Sequence, residues 1–170
     1  YREIFRKEDG ASRLLFSFQN HGRILALGLR TAGTGYQELD ALIDPAMLTD
    51  DQWHHVAGTY DGERMTVYLD GLVVGSQKRT GRVISGGAAD AFIGSSGGAG
   101  EFFQGAIDEL QIFKVALPAE AIAGLFEKRL SAVLAEQGKH RQQAEALYQE
   151  KATFAETMAA TRGALIEETA

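Results

Sequence analysis

The chain has 170 residues, a formal net charge of -6 at pH 7 and no cysteine. Without cysteine it can form neither a disulfide framework nor a thiolate zinc site, and its negative charge does not suit a general nucleic-acid binder, whose affinity depends on neutralising phosphates. No apolar run approaches the ~20 residues that a membrane-spanning helix needs.

The first ten residues, YREIFRKEDG, do not have the apolar central region of a signal peptide. The sequence opens without methionine and inside a strand-like run. We therefore expect it to be a segment of a longer protein.

Short apolar runs separated by turn-forming residues fill the chain as far as about residue 116. The candidate strands are EIFRKE, RLLFSFQ, RILALGL, HHVAGTYD, MTVYLD, LVVGSQ, AFIGSS and IDELQIFK. They recur at close to the interval of about 8–12 residues that is typical of β-sandwiches and barrels. Nothing between them is long enough for the crossover helices that parallel strands require, so we predict an all-β antiparallel fold.

The stretch WHHVAGTYDGERMTVYLDGLVVGS combines adjacent histidines with two Asp-Gly pairs. Neighbouring side chains of a strand point to opposite faces, so His54 and His55 cannot bind one metal ion together. Asp61-Gly62 and Asp70-Gly71 are typical of tight hairpin turns because both residue types tolerate positive φ. The stretch therefore predicts a three-stranded meander. We expect Trp53 in the core, with stacking on a sugar ring as the alternative.

The pattern changes after Pro118, which suits the first position of a helix. Apolar residues then recur three or four positions apart, which predicts an amphipathic helix; they are Ile122, Phe126, Leu130, Val133, Leu134, Ala144, Leu147, Tyr148, Ala155, Met158 and Leu165. Gly138 and its polar neighbours predict a break or bend. Lys151 and Arg162 interrupt the stripe, which argues against a long coiled coil.

Short motifs follow one another in a specific order along the chain. They are Trp53-His54-x-Val56-Ala57, Tyr68-x-Asp70-Gly71, Ile93-Gly94, Gly105-x-Ile107-Asp108-Glu109-x-x-Ile112 and Ala116-Leu117-Pro118-Ala119-Glu120-x-Ile122. Together they resemble the laminin-G-like, pentraxin-like group of concanavalin A-like jelly rolls, over about residues 3 to 127. The resemblance implies two antiparallel sheets packed face to face. We assign residues 1–127 to this sandwich and residues 128–170 to an amphipathic helical extension or the start of a following domain.

The same resemblance implies a function and a setting. Many members of the group bind carbohydrate or protein, often with calcium, and occur in large secreted or surface proteins of bacteria. We therefore expect an extracellular, cell-surface or periplasmic location and contact with neighbouring domains of the parent chain. Family members usually have further N-terminal strands that this sequence lacks, so an exposed sheet edge or apolar face is expected.

Asp108, in the run GAIDEL, is the candidate metal ligand. Strand alternation would place it beside Leu110, and an unpaired buried charge costs several kcal/mol. The resemblance suggests a structural calcium, which prefers oxygen ligands, held partly by Asp108 with Asp9 or Gly10 of the KEDG turn. An arginine or backbone N–H groups are equally suitable partners for Asp108.

Two loops carry candidate ligand-binding residues. The glycine-rich loop 95–105 lacks the order of a phosphate-binding loop. Its Phe102 and Phe103 can stack on sugar rings, although a core role for at least one of them is also expected. The loop YQELD at residues 36–40 offers Tyr36 and Glu38 as an aromatic and an acceptor.

Catalysis would need paired carboxylates. Related jelly rolls include glycoside hydrolases with E-x-D-x-E or E-x-D-x-x-E on one strand, which places acid and nucleophile across the scissile bond. Glu38 and Asp40 match the start of that motif, but Leu42 and Ile43 stand where the second glutamate belongs. We predict a non-catalytic module of a larger exported protein that recognises glycan or a protein surface. The alternatives are a structural spacer or assembly domain whose helical tail docks on a neighbour or self-associates, and a glycoside hydrolase.

Overall fold

The structure is a computed structural model that describes residues 1–10 and 12–168, with side chains described as far as residue 154. The chain divides into two compact units, one over Tyr1–Phe126 and one that begins at Glu127. In the described residues no helix is both long and apolar enough to span a bilayer.

Two antiparallel sheets form the first unit, which confirms the predicted sandwich. One sheet has five strands in the order β4-β3-β2-β1-β8 and the other has three in the order β5-β6-β7. The strands are β1 (Arg2–Glu8), β2 (Arg13–Gln19), β3 (Ile24–Thr31), β4 (Gly35–Leu42), β5 (Val56–Tyr60), β6 (Arg64–Leu69), β7 (Leu72–Lys78) and β8 (Ala91–Ile93). A short 3-10 helix, Pro45–Leu48, follows β4, and helix α1 spans Ala119–Glu168.

The core lies between the two sheets, where strand alternation directs apolar side chains inward. Its buried members are Ile4, Leu25, Leu27, Leu29, Leu39, Ala41, Met65 and Val67. The sheets approach each other closely where β7 faces β4, since a Cβ built at Gly75 would lie 2.7 Å from the Cβ of Ala41. A side chain at position 75 would therefore push the sheets apart.

The predicted meander is confirmed, because β6 pairs antiparallel with both β5 and β7. At its second turn Asp70 has φ 49° and Gly71 φ 78°, which is the left-handed conformation that Asp-Gly turns adopt. Asp70 also stabilises the residues just before β5, since its Oδ1 accepts the backbone N–H of His55 at 2.9 Å. Its Oδ2 lies 2.8 Å from Nδ1 of His54.

Three local predictions are wrong. Residues 36–40 belong to strand β4 rather than to a loop, because Leu39 and Ala41 alternate inward. The run IDELQIFK is not a strand, since the described part of the chain supplies no strand that pairs with it, and Ile112 is 74% exposed. Trp53 is 50% exposed rather than buried.

Helix α1 begins as predicted directly after Pro118, whose carbonyl accepts the N–H of Ala121 and of Ile122. Its first turns pack on the sandwich, where Ile122 is 3% exposed and the Phe126 ring lies 6.3 Å from the His55 ring. The helix then continues through Gly138 without interruption, so the predicted break is wrong. A glycine inside a helix costs only about 1 kcal/mol relative to alanine, which good helix formers on both sides can offset.

Candidate functional site

The five-stranded sheet has a second face, which points away from the core and is unusually polar. Register places Ser17 of β2 opposite Glu3 of β1 and Ala26 of β3, and Gly28 of β3 opposite Glu38 of β4. These residues alternate with the core residues and so share the outer face. We call the side chains of Glu3, Arg6, Arg13, Gln19, Tyr36, Glu38 and Glu101 the outer-face cluster.

Small residues form the floor beneath the middle of the cluster. Tyr36 lies across Gly28, where an added Cβ would come within 2.1 Å of the tyrosine Oη. The guanidinium of Arg13 in turn stacks over the Tyr36 ring, 4.2 Å from its centroid, which is within the range of a cation–π contact. Gly28, Tyr36 and Arg13 therefore form a three-layer stack, and only glycine leaves room for it.

Glu38 is held from two sides. Tyr36 Oη donates to its Oε2 at 2.6 Å, and Gln19 Nε2 donates to its Oε1. Gln19 Nε2 also lies 3.3 Å from Ser17 Oγ, which fixes the orientation of the amide. Burial and the hydrogen bond to Glu38 raise the pKa of Tyr36, so the hydroxyl stays a donor. Burial and then the nearby Glu38 charge raise the pKa of Asp40, the next residue of β4 on this face.

Arg6 forms ion pairs with three carboxylates on the β1 side of the cluster. Its guanidinium lies 3.1 Å from Glu3, 2.6 Å from Glu8 and 2.8 Å from Glu101. The side chain of Glu3 is completely buried, and its Oε2 has no hydrogen-bond partner among the residues that the structure describes. Burial, which outweighs the attraction of Arg6, raises the pKa of Glu3 to about 7. This side of the cluster therefore holds a carboxyl group that titrates near neutral pH.

The structure brings together some of the predicted ligand-binding residues. Tyr36 and Glu38 both lie in the outer-face cluster, although on a strand rather than on a loop. Loop 95–105 is tied to β1, since the Glu3 N–H donates to the Glu101 carbonyl at 3.0 Å. Its Phe102 is 54% exposed. Phe103 instead packs against the core, with its ring centroid 6.4 Å from that of Phe18.

The candidate calcium ligands lie in two separate segments of the chain. Asp9, next to Gly10 in the β1–β2 turn, accepts from the N–H and the hydroxyl of Ser12, both at 2.9 Å. Asp108 is exposed rather than buried beside Leu110, and its Oδ1 accepts the N–H of Glu109 at 2.9 Å. Among the residues that the structure describes, no group of three His, Cys, Asp or Glu side chains is arranged to hold a metal ion. The calcium site stays a prediction.

The sequence argument did not identify Glu3, Arg6, Arg13, Gln19 or Glu101 as members of a site. Glu3 and Arg6 are three residues apart, which in a regular strand would place them on opposite faces. A register shift between Glu3 and Phe5 adds one residue to β1, so both side chains face outward. Such a bulge leaves no clear sequence signal. The alternating polar residues of β2, Ser17 and Gln19, were a signal from which a polar outer face could have been predicted.

Comparison with known proteins gives a family and a similar solved structure. Residues 2–123 match a laminin G-type model described as the concanavalin A-like lectin/glucanases superfamily. The chain is similar to an S-layer domain-containing protein fragment from Clostridium thermocellum ATCC 27405, with 24% identity and a TM-score of 0.38. That likeness covers 73% of this chain and 62% of the other. A search of curated proteins gives no match.

Proposed function

Because the chain belongs to the concanavalin A-like lectin/glucanases superfamily, we propose that it is a non-catalytic module that binds carbohydrate at its outer-face cluster. The observation that carries the proposal is the fixed geometry of Glu38. Both of its oxygens are oriented by neighbours, Tyr36 at 2.6 Å and Gln19, and the residue is only half-buried. Groups that are already ordered lose little entropy when a ligand binds.

The chemistry of the outer-face cluster suits a polyhydroxyl ligand. Sugar hydroxyls both donate and accept hydrogen bonds, and the cluster offers carboxylate acceptors beside guanidinium donors. Glu38 and Arg13, both partly exposed, supply this combination on two strands separated only by β3. Arg13 already covers the Tyr36 ring, so we assign ring stacking to Phe102, which is exposed and directly follows the cluster residue Glu101 in the chain. Ring stacking with polar contacts at the edge is typical of amphipathic ligands.

The proposal does not include bond cleavage. Glycoside hydrolysis requires a general acid and a second carboxylate that face each other across the scissile bond. On β4, Glu38 and Asp40 share the outer face, but the residues that continue the motif are Leu42 and Ile43. Glu38 is also engaged through both oxygens, which favours a positioning role over proton transfer.

Two further parts of the proposal rest on family membership. We place the module outside the cytoplasm, at the cell surface or in the periplasm, as one part of a longer protein. We also assign a structural calcium to Asp108 with Asp9 or Gly10, because carboxylate and carbonyl oxygens are the ligands that this ion prefers.

A glycan array probed with the full chain tests the proposal, followed by calorimetric titration of any glycan selected. Glu38→Gln and Phe102→Ala should each weaken binding about tenfold, the loss of one good polar or stacking contact. The matched controls Glu63→Gln and Ile112→Ala alter exposed residues outside the cluster and should bind as the parent does. An array without signal, or cluster variants that bind normally, would refute the proposal. Release of reducing sugar that disappears in Glu38→Gln would show a hydrolase instead.

A further inference from the structure

Helix α1 exposes large apolar side chains beyond the part that packs on the sandwich. Within the unit that begins at Glu127, the exposed fractions are 42% for Leu130, 57% for Leu134, 56% for Leu147, 75% for Tyr148 and 66% for Phe154. An apolar stripe along a long helix is typical of a surface that packs against another element.

These side chains follow the spacing of a coiled-coil seam. Alternating steps of three and four residues, beginning at Leu130, give the a and d positions of a heptad repeat. They are Leu130, Val133, Gln137, His140, Ala144, Leu147, Lys151 and Phe154, most of which are apolar. With Leu130 as an a position, Leu134 and Tyr148 are e positions beside the seam. Because the helix is continuous through Gly138, a single seam runs over the whole stretch. Three of these eight positions are polar, Gln137 and Lys151 at a and His140 at d. They interrupt the apolar stripe and lower the stability of the contact, while polar residues at a positions fix its register.

The surface of the helix also has the shape that such a seam requires. A shallow hollow is lined by Ala144, Leu147, Tyr148 and Lys151. These residues stand at i, i+3, i+4 and i+7, which is the set of four that forms a hole for one knob of a facing helix. In a parallel arrangement in register, the knob that enters this hole is Leu147 of the second helix.

The charges beside the seam are complementary to the same helix in parallel. Glu136 occupies a g position and Arg141 the next e position, and g–e′ pairs of opposite sign decide partner and orientation in parallel coiled coils. Within one chain their pairs are exposed, Glu136 with Lys139 at 3.3 Å and with His140 at 3.4 Å, and Arg141 with Glu145 at 3.1 Å. Such pairs are weak and screened by salt, so both residues are available to a partner.

We propose that α1 binds a second copy of this chain, parallel and in register, along the seam from Leu130 to Phe154. The interaction joins two sandwich units through their helices and does not depend on carbohydrate binding. A carbohydrate array without signal would therefore leave it unaffected.

Sedimentation equilibrium of the full chain over a wide concentration range measures the association. The seam variant Leu130→Lys/Leu147→Lys should weaken association at least about tenfold, because it places charges in the contact. The control Ala135→Lys/Ala146→Lys adds the same charges on the opposite side of the helix and should associate much as the parent does. Circular dichroism establishes that both variants stay helical. A parent chain that is monomeric throughout, or a seam variant that associates normally, overturns the proposal.

A charge exchange tests the parallel register. Glu136→Arg and Arg141→Glu each place like charges at both g–e′ pairs of a homodimer, so each alone should associate about fivefold or more weakly. An equimolar mixture should regain the parental association, since both pairs are then attractive. A mixture that associates no more tightly than the separate variants contradicts a parallel pairing in register.

Discussion

Replacing Glu3 by glutamine should stabilise the protein at neutral and alkaline pH. Its side chain is completely buried beside Arg6, and its pKa is raised from 4.5 to about 7. The folded protein therefore holds a proton that the unfolded chain releases above pH 4.5. Because the native state binds more protons in this interval, the free energy of unfolding falls as pH rises from about 4.5 to about 7. The total loss is about 3 kcal/mol.

Glu3→Gln keeps the shape of the side chain but cannot ionise. We expect the variant and the parent to differ little well below pH 4.5, where Glu3 becomes protonated in the unfolded as well as in the folded state. The variant should then become more stable than the parent by up to about 3 kcal/mol above pH 7. Urea unfolding followed by circular dichroism, extrapolated to water at several pH values, gives both free energies.

The quantity to compare is the difference between variant and parent at each pH, since contributions from His55 and other groups cancel in it. Glu63→Gln, which changes an exposed turn residue, serves as the control and should show a nearly constant difference. A Glu3→Gln difference that does not change with pH would refute the reasoning. A variant that loses stability relative to the parent as pH rises would show that the ionised Glu3 is stabilising.

Other predictions address the site, the helix and the metal. Gly28→Ala should weaken glycan binding and lower the melting temperature, because the new Cβ would meet Tyr36 Oη at 2.1 Å; an unchanged affinity in calorimetry would contradict the three-layer stack. Burial lowers the pKa of His55, so its neutral form supports folding, and stability should fall as pH drops below 6.5; His55→Phe should lessen that fall in urea unfolding, and an identical profile would contradict it. Calcium should raise the melting temperature in the parent and not in Asp108→Asn; absence of heat in a calcium titration would exclude the site.

The hairpins could be predicted because their signals are local. The turn at Asp70-Gly71 has positive φ at both residues, and Asp and Gly are residue types that adopt this conformation readily. Strand β4 was missed because its local signal is weak. Only Leu39 and Ala41 of its inward residues are buried, and neither lies in a strong apolar run. Its assignment depends on β3, with which every residue of β4 pairs.

The run IDELQIFK shows the converse limit. Its alternation is strand-like, but a strand also requires a partner for its backbone groups, and periodicity alone does not supply one. The outer-face cluster has the same dependence on tertiary structure. Glu101 joins Glu3 and Arg6 only because loop 95–105 returns to β1, a contact between residues far apart in the sequence.

The measurement that tests the carbohydrate site most directly is a backbone NMR titration of the full chain with the glycan that an array selects. Binding at the outer-face cluster predicts that the largest amide shifts fall on β2 and β4, around Gln19, Tyr36 and Glu38. Residues of the three-stranded sheet should shift little. Shifts confined to β5–β7 or to α1, or no shifts at saturating glycan, would contradict the account.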